Sequence, residues 1–220
     1  MAAERQPKSD WLWGTTVAVT LVVMEFILLS ALVPTEWSNR VRDLEDRWLK
    51  DLMGAETAEL VLTSARSWYG TVFIDTGLVQ GSYELLLPDD ASIRTTPELG
   101  KLAGSPLWPW VADRLDVVWQ ALYMAMQRTS LLLAWWPYFA FVLVGAAIDG
   151  LLRRSIRQSG FDYPSPLAHR LAVRGMLWLG FLVTLGLLAP LPVSPLAVPV
   201  IGTVAGMVLA VMVTQTQKRL

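Results

Sequence analysis

The chain has 220 residues and a formal net charge of −1, and 54% of it is apolar. That length holds one membrane domain with a modest soluble excursion, and the near-neutral charge leaves no electrostatic footprint for nucleic acid. Without any cysteine, disulfides, thiol catalysis, iron–sulfur clusters and cysteine zinc sites are all excluded.

A helix needs about 20 apolar residues to cross the roughly 30 Å hydrocarbon core of a bilayer. The segment from Trp11 to Val33 meets this, with Glu25 as its only charge. Its apolar run is longer than that of a signal peptide, and Pro34-Thr35-Glu36 supplies no small-x-small cleavage site, so an uncleaved anchor is expected. Next, Trp37, Val41, Leu44, Trp48 and Leu52 recur at helical steps, with Arg40, Arg42, Asp43, Asp46 and Lys50 on the other faces. This spacing predicts an amphipathic helix. Leu60, Val61, Trp68, Val72 and Phe73 extend a similar pattern after Gly54. The stretch from Tyr83 to Pro109 is rich in Gly, Pro, Asp and Thr and reads as loop, with one helical turn at Thr96-Pro97-Glu98.

From Pro106 a helix is expected to run through Trp119, Leu122 and Met126 directly into a second span, Ser130 to Ile148, bounded by Arg128 and Asp149. The segment from Gly175 to Gln217 carries no formal charge and is interrupted by Pro190, Pro192 and Pro195. Proline has no amide hydrogen and disfavours helix in the residue before it, which predicts a hairpin: a span near Arg174–Ala189, a tight turn, and a last span over Pro195–Val213. The pairs Ser105-Pro106, Ser165-Pro166 and Ser194-Pro195 suit helix starts. Pro137 and Pro199 lie inside predicted spans and are expected to kink them.

The fold expected is an all-α membrane protein with four transmembrane helices and a long, partly helical extracytoplasmic loop between the first and second. Its segments are a tail and first span over 1–33, an extracytoplasmic stretch over 34–129 and a second span over 130–148. A basic cytoplasmic loop over 149–174, a helical hairpin over 175–214 and a tail over 215–220 follow. Short loops rich in Lys and Arg stay in the cytoplasm. Arg153, Arg154, Arg157, Arg170 and Arg174, together with Arg5, Lys8, Lys218 and Arg219 in the tails, all fall on one side. The prediction is N-in and C-in, with the long loop outside the cytoplasm, which in a Gram-negative cell would be the periplasm. Many of the 11 tryptophans sit where a bilayer edge is expected, as an aromatic belt.

Few residues suggest chemistry. Glu25 is an intramembrane carboxylate, the kind of group that serves proton relays and ion sites or pairs with another helix. Asp149, followed by Gly150, stands four residues before Arg153, itself followed by Arg154, which predicts a local ion pair on one helical face. His169 is the only histidine, and no zinc spacing accompanies it. Ser165 at i−4 completes a drawable Ser–His dyad, but a helix cap explains that serine better. Gly202 and Gly206 form a GxxxG step suited to close helix packing within the chain. No P-loop, GxGxxG or internal repeat is present, and no cofactor or metal is implied.

Several of these residues carry a resemblance. Trp136-Pro137, Asp149-Gly150-Leu151 with Arg153 and Arg154, then Ser165-Pro166 and His169, resemble a family of membrane proteins of integrating conjugative elements and conjugative plasmids of proteobacteria. The anchor bearing Glu25 and the tryptophan-bearing loop are also similar, so the likeness spans about Trp11 to Val213. It implies a context, an inner-membrane protein encoded beside conjugative type IV secretion genes, and no particular biochemical activity. The leading expectation is therefore a non-enzymatic component or accessory of conjugative transfer. It would meet the lipid bilayer and other membrane or periplasmic proteins of that machinery, and a homo-oligomer is compatible with it. Exclusion of redundant entry on the recipient side belongs to the same class. The competing expectations are a small transporter or proton-linked channel using Glu25, and a membrane hydrolase using Asp149 or His169.

Overall fold

The computed structural model describes residues 8–88, 106–160 and 165–216. Among the described residues the chain is entirely helical. Its elements are α1 (Lys8–Leu32), α2 (Thr35–Met53), α3 (Ala55–Tyr69), a π turn (Gly70–Ile74), α4 (Leu78–Leu86), α5 (Leu107–Ala134), α6 (Trp136–Ser159), α7 (Pro166–Leu188) and α8 (Ala197–Thr214). Gly54 separates α2 from α3 and Gly77 precedes α4, at φ of 80° and 73° that only glycine adopts without strain. The expected turn at Thr96-Pro97-Glu98 lies outside the described residues. Part of the stretch read as loop is helical: α4 runs through Tyr83, and α5 already begins at Leu107.

Two helices, α7 and α8, are each long and apolar enough to cross a bilayer, and α5 with α6 passes that test only as a pair bent by 55°. The described residues thus give two or three candidate spans rather than a clear four. This corrects the kink expected at Pro137 to a break: the helix does not continue through Ser130–Ile148. Pro137, in the first turn of α6, has no N–H to offer the Leu133 carbonyl, so α5 stops at Ala134 and a new helix starts at Trp136. α6 then continues past Ile148 to Ser159, and α7 starts at Pro166. Most of the stretch read as a basic loop is therefore helix. Pro199, expected to kink a span, instead sits in the first turn of α8, where a missing N–H costs nothing.

Hydrogen bonds and ring contacts set the helix directions. Gln120 Nε2 donates to Asn39 Oδ1 at 2.8 Å and Gln127 Nε2 to Asp46 Oδ1 at 2.9 Å, both pairs 81 positions apart. A constant offset means that α2 runs parallel to α5. α3 returns antiparallel to α5, because Ser130 Oγ bonds the Val61 carbonyl at 3.0 Å while Tyr69 meets Tyr123 edge-on, and Phe73 in the π turn meets Trp119. The three helices enclose a core of Leu49, Ala58, Val61, Leu62 and Leu131 that also takes in Val198 of α8.

The buried stripe of α2 is Ser38, Val41, Glu45 and Leu49, and that of α3 is Ala58, Val61, Leu62 and Ala65. The expected stripe through Trp37, Leu44 and Leu52 is rotated from this by about one position, and Leu60, counted toward the apolar face of α3, is 65% exposed. Apolar count alone misplaced the face because a charged residue, Glu45, occupies its centre.

α6 and α8 lie parallel, Tyr138 and Phe139 against Gly202, Val142 against Gly206, and Gly150 against Ala210 and Val213. α7 packs on α8, α5 and α1, yet much of the apolar surface of these helices stays open. Only 6% of the most apolar stretch of α7 is buried, and Leu171, Leu177, Trp178 and Leu182 stand exposed, as do Phe141 and Val144 on α6. A contiguous apolar surface of this extent is unstable in water.

Candidate functional site

The most constrained polar cluster lies where α2, α5 and the α7–α8 turn meet. Arg128 on α5 and Glu45 on α2 are 5% and 4% exposed. They form a two-point pair, Arg128 Nη2 to Glu45 Oε1 at 2.6 Å and Nε to Oε2 at 3.3 Å. Nη1 also donates to the carbonyls of Gly186, Leu187 and Ala189 at 2.7, 3.2 and 2.8 Å, and Nη2 to that of Leu191 at 2.7 Å. The last carbonyls of a helix have no partner within it, and the helix dipole makes them negative, so a cation there both satisfies and neutralises them. Glu45 Oε1 in turn accepts the Val193 N–H at 2.8 Å. Nearby, Trp37 Nε1 donates to the Pro190 carbonyl at 2.7 Å, and Arg114 Nη1 to the Val33 carbonyl at 2.7 Å. The cluster thus clamps the proline-rich turn of the hairpin onto the excursion between α1 and α6.

Reading the sequence missed this pair. The signal was available: Glu45 lies four residues from both Val41 and Leu49, on their stripe, and Arg128 is the only charged residue between Val117 and Ile148. A carboxylate within a buried stripe requires a cation.

The residues singled out from sequence fall into three groups. Glu25 lies on α1, partly buried, with Oε2 shielded and without a hydrogen-bond partner; Arg128 is the cation whose field reaches it. Gly202 and Gly206 face α6. Asp149, Gly150, Arg153, Ser165 and His169 gather at the other end of the helices. There Arg153 Nε contacts Asp149 Oδ2 at 2.8 Å, with the two side chains 66% and 48% exposed, an arrangement that contributes little to stability. The Gly150 carbonyl accepts from Thr214 Oγ1 at 3.3 Å. Ser165 N donates to Gln215 Oε1 at 2.8 Å, and Ser165 Oγ accepts the Ala168 N–H at 3.3 Å, capping α7. His169 Nδ1 lies 3.2 Å from the Met212 carbonyl. Serine hydroxyl and imidazole are each engaged with backbone rather than with one another. Arg154 is half-buried on α6, outside this network. Replacing Ser165 with alanine is expected to lower stability by about 1 kcal/mol through loss of the cap, measured by unfolding in detergent; an unchanged midpoint would assign the start of α7 to Pro166 alone.

A second polar feature is a groove of about 410 Å³ between α2, α3 and α5, lined by Thr35, Asn39, Arg42, Tyr69, Asp116, Trp119, Gln120 and Tyr123. At its edge Tyr83 donates its phenolic hydrogen to Asp116. Burial, together with this carboxylate, pushes the Tyr83 phenol well above its ordinary range, and burial also raises Tyr69. Among the described residues no group of histidine and carboxylate side chains is arranged to hold a metal.

No curated protein and no solved structure matches the chain. One family does: the DtrJ-like family, described as IncC plasmid conjugative DNA transfer protein DtrJ-like, matches residues 18–219. That range takes in most of α1, the segment between α1 and α6, the buried Arg128–Glu45 pair and the hairpin, and the chain belongs to this family of conjugative DNA transfer proteins.

Proposed function

We propose that the chain is a non-enzymatic inner-membrane component of conjugative DNA transfer that holds a helical platform on the outer face of the membrane. The family match over residues 18–219 carries this reading. In it α1, α6, α7 and α8 cross the bilayer, with the termini and the arginines of α6 and α7 in the cytoplasm. The parallel packing of α6 on α8 supports this, since spans on either side of α7 must run in the same direction. The 18 residues of α8 reach about 27 Å, close to a hydrocarbon core, and α6 lies level with them from Tyr138 to Gly150. α2, α3, α4 and most of α5 then form the platform that meets other proteins of the type IV secretion machinery.

Deleting the gene is expected to abolish or strongly reduce transfer from donor cells, measured as transconjugants per donor. Full transfer, with undiminished exclusion when the recipient lacks the gene, would reject the role. Reporter fusions at residues 90 and 160 are expected on opposite sides of the membrane, and finding both on one side would overturn the topology. A second reading, a small transporter or proton-linked channel, rests on the shielded, unpartnered Oε2 of Glu25. Glu25→Gln would then abolish function with insertion intact, and a fully active variant would remove that reading.

A further inference from the structure

The groove between α2, α3 and α5 combines features that the buried pair does not use. Arg42 is half-buried in its wall, and among the described residues no hydrogen bond or ion pair engages its guanidinium. Asp116 lines the same groove, beyond ion-pair distance of Arg42, with Oδ1 taken by Tyr83 and Oδ2 left open. Three aromatic side chains, Tyr69, Trp119 and Tyr123, complete the lining, stiffened by edge-on contacts between Tyr69 and Tyr123 and between Phe73 and Trp119. Trp119 is further held by its Nε1–H to Ser82 Oγ at 3.0 Å. Asn39 and Gln120 bond one another at 2.8 Å, and each keeps part of its amide free.

One unengaged cation, one anion held by Tyr83 and aromatic faces in a single concavity form the complement of a small zwitterion. An anionic group pairs with a guanidinium through charge-assisted hydrogen bonds. An ammonium is attracted both to a carboxylate and to the faces of tyrosine and tryptophan. The volume, about 410 Å³, falls in the range of small-molecule sites. A purely anionic ligand would be repelled by Asp116, and a purely cationic one by Arg42.

We propose that this groove binds a ligand in which a primary ammonium is joined by a short linker to a phosphate, the phosphate held by Arg42 and the ammonium by Asp116 with Tyr69, Trp119 and Tyr123. Such chemistry comes from a phosphoethanolamine lipid headgroup or from a free phosphorylated amino alcohol. Thr35, in the groove lining, lies three residues beyond the end of α1, which in the proposed topology brings it within reach of a membrane surface. The site does not depend on the role in DNA transfer.

The test uses the purified full chain in detergent. Titration with O-phosphoethanolamine is followed by calorimetry, and native mass spectrometry scores retention of phosphatidylethanolamine against phosphatidylglycerol. Saturable binding of the soluble zwitterion, weakened about tenfold or more by both Arg42→Gln and Asp116→Asn, supports the site and a soluble source. Retention of phosphatidylethanolamine over phosphatidylglycerol, lost in the same variants, supports the site and a lipid source. Circular dichroism and elution volume like those of the unmodified chain establish that each variant is folded, and Arg47→Gln, on α2 but outside the groove lining, is the control expected to bind normally. Absence of binding in both arms, binding unchanged in the two variants, or equal binding of inorganic phosphate overturns the proposal.

Discussion

Replacing Arg128 with methionine is expected to destabilise the protein by about 3–5 kcal/mol, because it leaves Glu45 charged, buried and unpaired. It also strips partners from the carbonyls of Gly186, Leu187, Ala189 and Leu191. Lysine is no substitute, since an ammonium is a compact donor without the fork that reaches α2 and the α7–α8 turn together. Removing both charges, as in Arg128→Met with Glu45→Leu, should be less harmful than Arg128→Met alone. The stranded carboxylate is then gone, although the four carbonyls stay unsatisfied. Reversible unfolding of the four proteins in mixed micelles gives the coupling energy directly. If the double variant were as unstable as the sum of the single ones, the two side chains would be acting independently and the clamp would not exist.

Lengthening the small residues of α8 is expected to separate it from α6. A methyl built on Gly202 would stand 2.6 Å from Phe139 Cε1 and 2.9 Å from Tyr138 Cε1, and one on Gly206 would stand 2.7 Å from Val142 Cγ1. Gly202→Ala should cost about 1–3 kcal/mol by overpacking, and Gly202→Leu more. The same change at Gly180, where nothing lies within 4 Å of the added carbon, should be neutral or slightly favourable, because alanine is the better helix former. Equal midpoints for Gly202→Ala and Gly180→Ala would mean that α6 and α8 are not in close contact.

The contrast between these two sites shows what the sequence could and could not display. The α7–α8 hairpin was legible because lipid-facing helices advertise themselves by length and absence of charge, and because Pro190, Pro192 and Pro195 leave few positions for the turn. The capping role of Ser165 followed from local chemistry alone. A bend near Pro137 was legible, but not that it is a full break at Trp135, because proline inside an apolar run is compatible with a kink or with a break and neighbouring helices decide which. The face of α2 was misplaced for a related reason. Burial there depends on a partner 83 positions away, and periodicity records no information about distant charges. The groove was invisible for the same reason, since Arg42 and Asp116 belong to different helices.

The dependence of the hairpin turn on Arg128 has a consequence for biogenesis. A ribosome synthesises Glu45 and Arg128 before α7 and α8 exist. Until the hairpin arrives, the guanidinium lacks four of the oxygens that hold it in the finished protein. The nascent first half therefore holds Arg128 in an incompletely satisfied state, short of its carbonyl partners at Gly186, Leu187, Ala189 and Leu191. Release from that state coincides with translation of the final helices.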